Sequence, residues 1–166
     1  MENMEIKDIF DNIYKDKVCF ITGHTGFKGS WLAFWLTKMG ANVIGYSHLP
    51  NTKPNHYDLI ETNYVSLIGD INDLENINKI FKKYKPDIIF HLAAQALVRY
   101  SYDNPIETYQ TNVMGTLNIF EAAKSSKSVK AIINVTSDKC YENKETKKGY
   151  IESDKMGGYD PYSSSK

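Results

Sequence analysis

The stretch Gly23-His24-Thr25-Gly26-Phe27-Lys28-Gly29 constrains this chain more than any other part of it. It follows the apolar run Val18 to Thr22, which has the length and the glycine boundary of a buried strand. After it, Lys28 to Met39 places Leu32, Trp35, Leu36 and Met39 at helical spacing, and Gly40 stands where a helix would stop. The spacing therefore predicts a strand, a glycine turn and a helix. Glycine lets such a turn bend sharply and approach a ligand closely, while the unpaired amides at a helix start favour negative charge. A dinucleotide pyrophosphate meets that description, and the plainer alternative is that the glycines only permit a tight turn.

The same alternation continues. Asn42 to Tyr46, Tyr64 to Ile68, Asp87 to His91 and Lys130 to Thr136 read as strands, and Asp73 to Tyr84 reads as a helix. A long helix is expected from Asn104 as cap, with Pro105 in its first turn, to about Lys124. Strands alternating with helices imply an α/β fold, a parallel sheet with helices on both faces. An amphipathic stretch (Ile6, Ile9, Phe10, Ile13) precedes it, and residues 141–158, with mixed charge and Gly157-Gly158, look like a loop. Asp160 and Pro161 then open a last helix that stops at Lys166, scarcely a turn later, which points to part of a larger protein whose C-terminal part is missing. At 166 residues, one domain is expected.

Composition narrows the partners. Lysine plus arginine and aspartate plus glutamate each total 20, so no long-range field gathers a nucleic acid or an anionic membrane surface. No apolar run is long enough to span a bilayer, and Glu2, Glu5, Asp8 and Asp11 interrupt the N-terminus, unlike a signal-peptide core, so a cytoplasmic protein is expected. Cys19 and Cys140 read as reduced thiols in or beside strands. His24, His48, His56 and His91 are scattered without ligand spacing, so no metal site is expected.

The end of the second strand, Gly45-Tyr46-Ser47-His48, offers no carboxylate to bind the adenosine ribose. Ser47 could bond a ribose hydroxyl, while His48 or Lys53 would tolerate a 2′-phosphate, so these residues leave NAD and NADP both open. Asp70 either contacts the adenine or caps a turn. At the far end of the chain, Tyr162-Ser163-Ser164-Ser165-Lys166 sets a phenol and an ammonium on one helix face. A free phenol titrates near 10, so it works as a base near neutral pH only with a cation beside it.

Thr22 to Gly29, His91-Leu92-Ala93-Ala94-Gln95 and Tyr162-x-x-x-Lys166 together resemble the extended short-chain dehydrogenase/reductase family. More narrowly, Gly23 to Trp31, Val135-Thr136-Ser137-Asp138-Lys139-Cys140-Tyr141 and Gly157 to Lys166 resemble the CDP-glucose 4,6-dehydratases, and the likeness covers nearly the whole chain. It implies a Rossmann-like doubly wound sheet, here the N-terminal part of an NAD-binding domain without its substrate-binding domain. It also implies a lyase that converts the nucleotide-sugar CDP-glucose to CDP-4-keto-6-deoxyglucose for deoxysugar and polysaccharide biosynthesis, as a homodimer when complete.

The resemblance also assigns roles. Gly23, Thr25, Gly26, Phe27, Lys28, Gly29, Ser47, Asp70, Ile71, Leu92, Ala93 and Ala94 would line the cofactor site with Tyr162 and Lys166. Tyr162 would take the proton of the sugar 4-hydroxyl, Lys166 would hold the nicotinamide ribose, and Ser137 would bond the 4-oxygen. Asn112 would support the helix geometry or a proton relay. Asp138 and Lys139, directly after the fifth strand, would be the acid and base of water loss. Related dTDP-glucose dehydratases carry Asp-Glu there, and epimerases lack such a pair. Gln95 and Arg99 sit on the same crevice edge, where Arg99 either meets a substrate phosphate or makes a surface salt bridge. Another nucleotide-sugar epimerase or dehydratase, or a cofactor-binding sensor or scaffold, are the alternatives. With the nucleotide-reading elements expected beyond Lys166, residues 1–166 alone are expected to have negligible dehydratase activity.

Overall fold

The computed structural model describes residues 10–60 and 63–166, so the expectation for Ile6 and Ile9 lies outside the described residues. Five strands, β1 (Val18–Thr22), β2 (Asn42–Ser47), β3 (Val65–Ile68), β4 (Ile88–His91) and β5 (Ala131–Asn134), form one sheet in the order β3-β2-β1-β4-β5. Every pairing is parallel. The order reverses at β1, which places β2 on one side of it and β4 on the other, and a crevice opens beyond the strand ends at such a switch point.

The alternation of side chains along β1 divides the core in two. Cys19 and Ile21 face α1 (Phe27–Lys38), where they pack with Ala33, Leu36, Val43 and Phe90. Phe20 points the other way, toward α2 (Leu74–Tyr84) and α5 (Thr116–Ser125), among Tyr46, Ile77, Phe81, Ile89 and Ile119. Helices thus cover both faces, as the alternating pattern required. Cys19 is a buried free thiol and Cys140 a half-buried one.

The helical spacing of α1 misled in one respect. Leu36 and Met39 are buried, but Trp35 is 46% exposed, because the buried face runs through Gly29, Ala33 and Leu36. The long helix expected from Asn104 is also more divided than the sequence suggested. A short helix, α3 (Val98–Asp103), comes first, followed by α4 (Pro105–Tyr109), a π-helical turn over Gln110–Gly115, and then α5. Asn104 makes no side-chain cap; its amide nitrogen instead donates back to the Tyr100 carbonyl at 3.4 Å. Asp73, by contrast, caps α2 by accepting from the Asn76 amide at 2.9 Å. β5 is shorter than Lys130 to Thr136, and its Ile132 and Ile133 are exposed at the sheet edge.

Phe20 is fully buried, edge-on to Phe81 with ring centroids 5.0 Å apart and stacked on Tyr46 at 6.1 Å. Removing it leaves a cavity in the middle of the larger core. Phe20→Ala is therefore expected to lower unfolding free energy by about 3–5 kcal/mol, measured by urea denaturation; a loss near zero would show that this core is not the main source of stability.

Candidate active site

The C-terminal ends of β1, β2 and β4 open onto a cleft of about 820 Å³, within the range that small ligands and cofactors occupy. Its first wall is the glycine turn. Gly23 has φ +75°, a left-handed conformation that glycine adopts freely, and a Cβ there would lie 2.9 Å from the Ala93 amide nitrogen. A Cβ on Gly29 would collide with the Gly23 carbonyl. The start of α1 can approach the turn only because both residues lack side chains. The Ser30 amide bonds back to the Gly26 carbonyl at 2.9 Å, and the amides just before it have no partner within the helix. The first turn of α1 contains no acid but does contain Lys28, so this helix start presents only positive charge to the cleft.

The opposite wall carries Tyr162 and Lys166. Helix α6 (Pro161–Ser164) is held in place by four contacts. Asp160 caps it by accepting from the Ser163 amide at 2.9 Å, and the buried Ser101 hydroxyl accepts from the Tyr162 amide at 3.1 Å. Tyr109 bonds Ser164 at 2.6 Å, and the Asn112 amide nitrogen donates to Ser165 at 2.9 Å. Lys166 lies just past the helix, where its ammonium donates to the Val135 carbonyl at 3.3 Å. Burial lowers the Lys166 pKa, and the nearby positive charge of Lys28 lowers it further against an opposing effect of Cys140. Two cations that disfavour one another across a cleft are both relieved by an anion placed between them.

All fourteen residues expected around the cofactor line this cleft, among them Thr25, Phe27, Ile71, Leu92 and Ala94. Within that set, the structure refines individual roles. Ser47 borders the cleft, but its hydroxyl is turned inward to Thr25 at 2.8 Å and to His24 Nδ1 at 3.2 Å. His24 itself is fully buried; burial pushes its pKa down to about 4, and the neutral ring also bonds the Ser66 hydroxyl at 2.7 Å. The Asp70 carboxylate bonds the Asn72 amide at 2.8 Å and lies 3.5 Å from His48, so it both closes its own turn and faces the cleft.

The residues expected at the sugar end are more dispersed. Asn112 is buried in the π turn, and its side chain clamps Gln95 by accepting from its amide at 2.8 Å and donating to its carbonyl at 3.0 Å. The Gln95 side chain is engaged with Leu97 at 2.6 Å and Thr108 at 2.9 Å, outside the cleft lining. Arg99 is exposed on α3 and also lies outside the lining. Ser137 caps a 3₁₀ turn, Asp138–Cys140, by accepting from the Lys139 amide at 3.2 Å, while Asp138 and Lys139 are exposed. These three stand after β5, beyond the rim of the cleft. Not foreseen from sequence as lining were Leu49 to Thr52 and Pro54 to His56, along with Gly69, Ala96, Thr111, Val135 and Thr136; of the two residues put forward for a 2′-phosphate, His48 lines the cleft and Lys53 does not. Pro50, Asn51, Pro54 and Asn55, in a turn-rich string just after β2, were the available signal.

A family model described as GDP-mannose 4,6 dehydratase matches residues 20–166. The chain belongs to this family. Its match sets it among the nucleotide-sugar dehydratases and epimerases of the extended short-chain dehydrogenase/reductase group that the motifs resembled. The chain is 53% identical over 157 residues to a CDP-glucose 4,6-dehydratase of Salmonella typhimurium, covering 93% of this chain and 44% of that protein. Among solved structures, a UDP-glucose 4-epimerase of Thermotoga maritima with UDP-glucose superposes with TM-score 0.79 at 27% identity, over 89% of this chain and 47% of the other. A UDP-glucose 4-epimerase of Brucella ovis in complex with NAD gives 0.77 at 25% identity, over 90% and 44%. The chain thus spans less than half the length of the family relatives it matches. No helix among the described residues is long and apolar enough to cross a membrane.

The close approach at Gly29 yields a direct test. Gly29→Ala should weaken dinucleotide binding at least tenfold, about 1.4 kcal/mol, by calorimetric titration. Gly149→Ala, where a Cβ meets nothing within 4 Å, should leave it unchanged, and equal behaviour of the two variants would contradict the cradle.

Proposed function

We propose that the protein is a CDP-glucose 4,6-dehydratase and that this chain supplies its NAD-binding part, with the substrate-binding domain outside it. One observation carries the reading: the glycine turn and the Tyr162-Lys166 pair form facing walls of a single cleft, in a chain 53% identical to a CDP-glucose 4,6-dehydratase. The NAD-bound and UDP-glucose-bound epimerases of the same fold support the cofactor and the nucleotide-sugar class. The residues present fit a dinucleotide, since the close backbone packing at Gly23 and Gly29 brings the free amides of the α1 start to the cleft, and the cations Lys28 and Lys166 suit a pyrophosphate and a ribose. When bound, NAD would accept two electrons from the sugar at C4 and return them at C6.

The chain's own residues would manage the protons. Tyr162 takes the proton of the 4-hydroxyl, helped by the neighbouring Lys166 ammonium, and Ser137 bonds the 4-oxygen. Oxidation at C4 acidifies the C5 proton, which Lys139 removes while Asp138 protonates the departing 6-hydroxyl, so that one water leaves; Lys139 would then return its proton to C5 as hydride returns to C6. Both residues are exposed in this chain, and the substrate-binding part would have to enclose them for a lysine to act as a base. Asn112 keeps the α6 turn in place through Ser165. A homodimer is consistent with the outer face of α4 and α5, where Ile106 is 81% exposed and Val113, Leu117 and Phe120 extend the apolar strip.

The second reading, a nucleotide-sugar epimerase, rests on the two superposed epimerases and is opposed by the Asp138-Lys139 pair. Incubating the full-length protein with CDP-, UDP- and dTDP-glucose should give a 4-keto-6-deoxy product from CDP-glucose. An epimer without water loss, or a preference for another base, would contradict the assignment. Tyr162→Phe should lower kcat roughly 10²- to 10⁴-fold, the range usual for loss of a general acid/base; retained turnover would remove Tyr162 from the mechanism.

A further inference from the structure

Beneath the cleft floor lies a chain of hydrogen bonds whose direction follows from counting protons. The Thr22 hydroxyl oxygen accepts from the amides of Leu92 and Ala93, both at 3.1 Å. With both lone pairs engaged, the hydroxyl gives its own proton to His91 Nδ1, 2.6 Å away. Nδ1 is therefore the acceptor, so the neutral ring carries its proton on Nε2 and donates to the Thr116 hydroxyl at 2.9 Å. Thr116 in turn donates to the Asn112 carbonyl at 2.6 Å. The Asn112 side chain then reaches Gln95 on one side and Ser165 on the other.

Each part of this chain has one arrangement only. His91 is 2% exposed, and burial together with the Lys166 ammonium pushes its pKa down to about 4, so the ring stays neutral at physiological pH. One end of the chain is the backbone at Leu92 and Ala93, which lines the cleft where the dinucleotide would lie. The other end grips the helix turn that carries Tyr162. An imidazole is suited to the middle because it offers one acceptor and one donor on opposite sides of a rigid ring, bridging β1 to α5.

We propose that His91 is a positioning residue, which holds the cofactor floor at Leu92 and Ala93 in register with Asn112 and the Tyr162 turn. The catalytic part of this proposal rests on the reading of Tyr162 given above. Replacing His91 by leucine leaves the Thr22 hydroxyl proton without its acceptor and the Thr116 oxygen without its donor, and uncouples the two walls. Glutamine, with one acceptor and one donor, can keep both bonds.

The test compares His91→Leu and His91→Gln in the full-length enzyme. His91→Leu should lower kcat roughly tenfold to a hundredfold, the cost of a catalytic group about 1 Å out of place, with the KM for the sugar nucleotide nearly unchanged. His91→Gln should restore most of that loss. In nitrogen-15 spectra of the histidine-labelled wild type, one ring should show a protonated Nε2 and a bare Nδ1, unaltered between pH 8 and pH 6. Equal kcat loss in both variants, a change confined to thermal stability, or a ring protonated on Nδ1 would each overturn the proposal. Should the leucine variant fail to fold, the glutamine variant and the spectrum decide. Inactivity of the wild type toward CDP-glucose would contradict only the substrate assignment; the variants are then compared on NAD affinity, where loss in leucine and recovery in glutamine are again expected.

Discussion

The Gly23 carbonyl occupies the space that a side chain on Gly29 would need, and the Gly23 α-carbon faces the Ala93 amide. These two close approaches bring the start of α1, the end of β1 and the end of β4 to a single point. Without them α1 would stand off from the sheet, its free amides would no longer border the cleft, and the loop after β4 would lose its seat. The Thr22 hydroxyl secures the same junction by accepting from two amides of that loop. The α6 wall is tied to this junction through Asn112, and the residues after β5 through the Val135 amide, which donates to the His91 carbonyl at 3.0 Å.

The electrostatics of the cleft follow from the same placement. A helix start without an acidic residue, Lys28 on its first turn, and a half-buried Lys166 opposite give the site a positive interior in a protein of zero formal net charge. The charge is local, so it selects an anionic ligand within the cleft without drawing polyanions to the surface. The histidines of this region, His24 and His91, are kept neutral by burial and serve as hydrogen-bond bridges. That division leaves Lys28 and Lys166 as the cations of the cleft, with the Asp70 carboxylate also on its lining, and the imidazoles of His24 and His91 as spacers.

Much of this arrangement was legible in the sequence, for physical reasons. The apolar run Val18 to Thr22, bounded by glycine, gave β1, because a strand buried on both faces has no polar alternation, and the glycines after it marked the turn. The expected lining of the cleft came from the family resemblance of the motifs rather than from these patterns. What was missed depends on contacts distant in sequence. The π turn exists where Asn112 bonds Gln95, and no local pattern reports that pairing. Trp35 satisfied helical spacing yet faces outward, since spacing identifies a face but not which face the sheet covers. Gln95 looked available to a substrate from its place after β4, but its side chain closes its own loop. Ser47, which could bond a ribose hydroxyl and does border the cleft, also bonds His24 and Thr25, contacts set by the space that Gly45 leaves for the His24 ring.

The most direct measurement is a crystal structure of the full-length protein with NAD and a CDP-sugar bound. The account predicts the pyrophosphate on the amides between Gly23 and Gly29, the nicotinamide at the Leu92–Ala94 end, and the Tyr162 phenol beside both that ring and the sugar 4-oxygen. A dinucleotide seated elsewhere, or a Tyr162 side chain turned out of the cleft in the ternary complex, would contradict it.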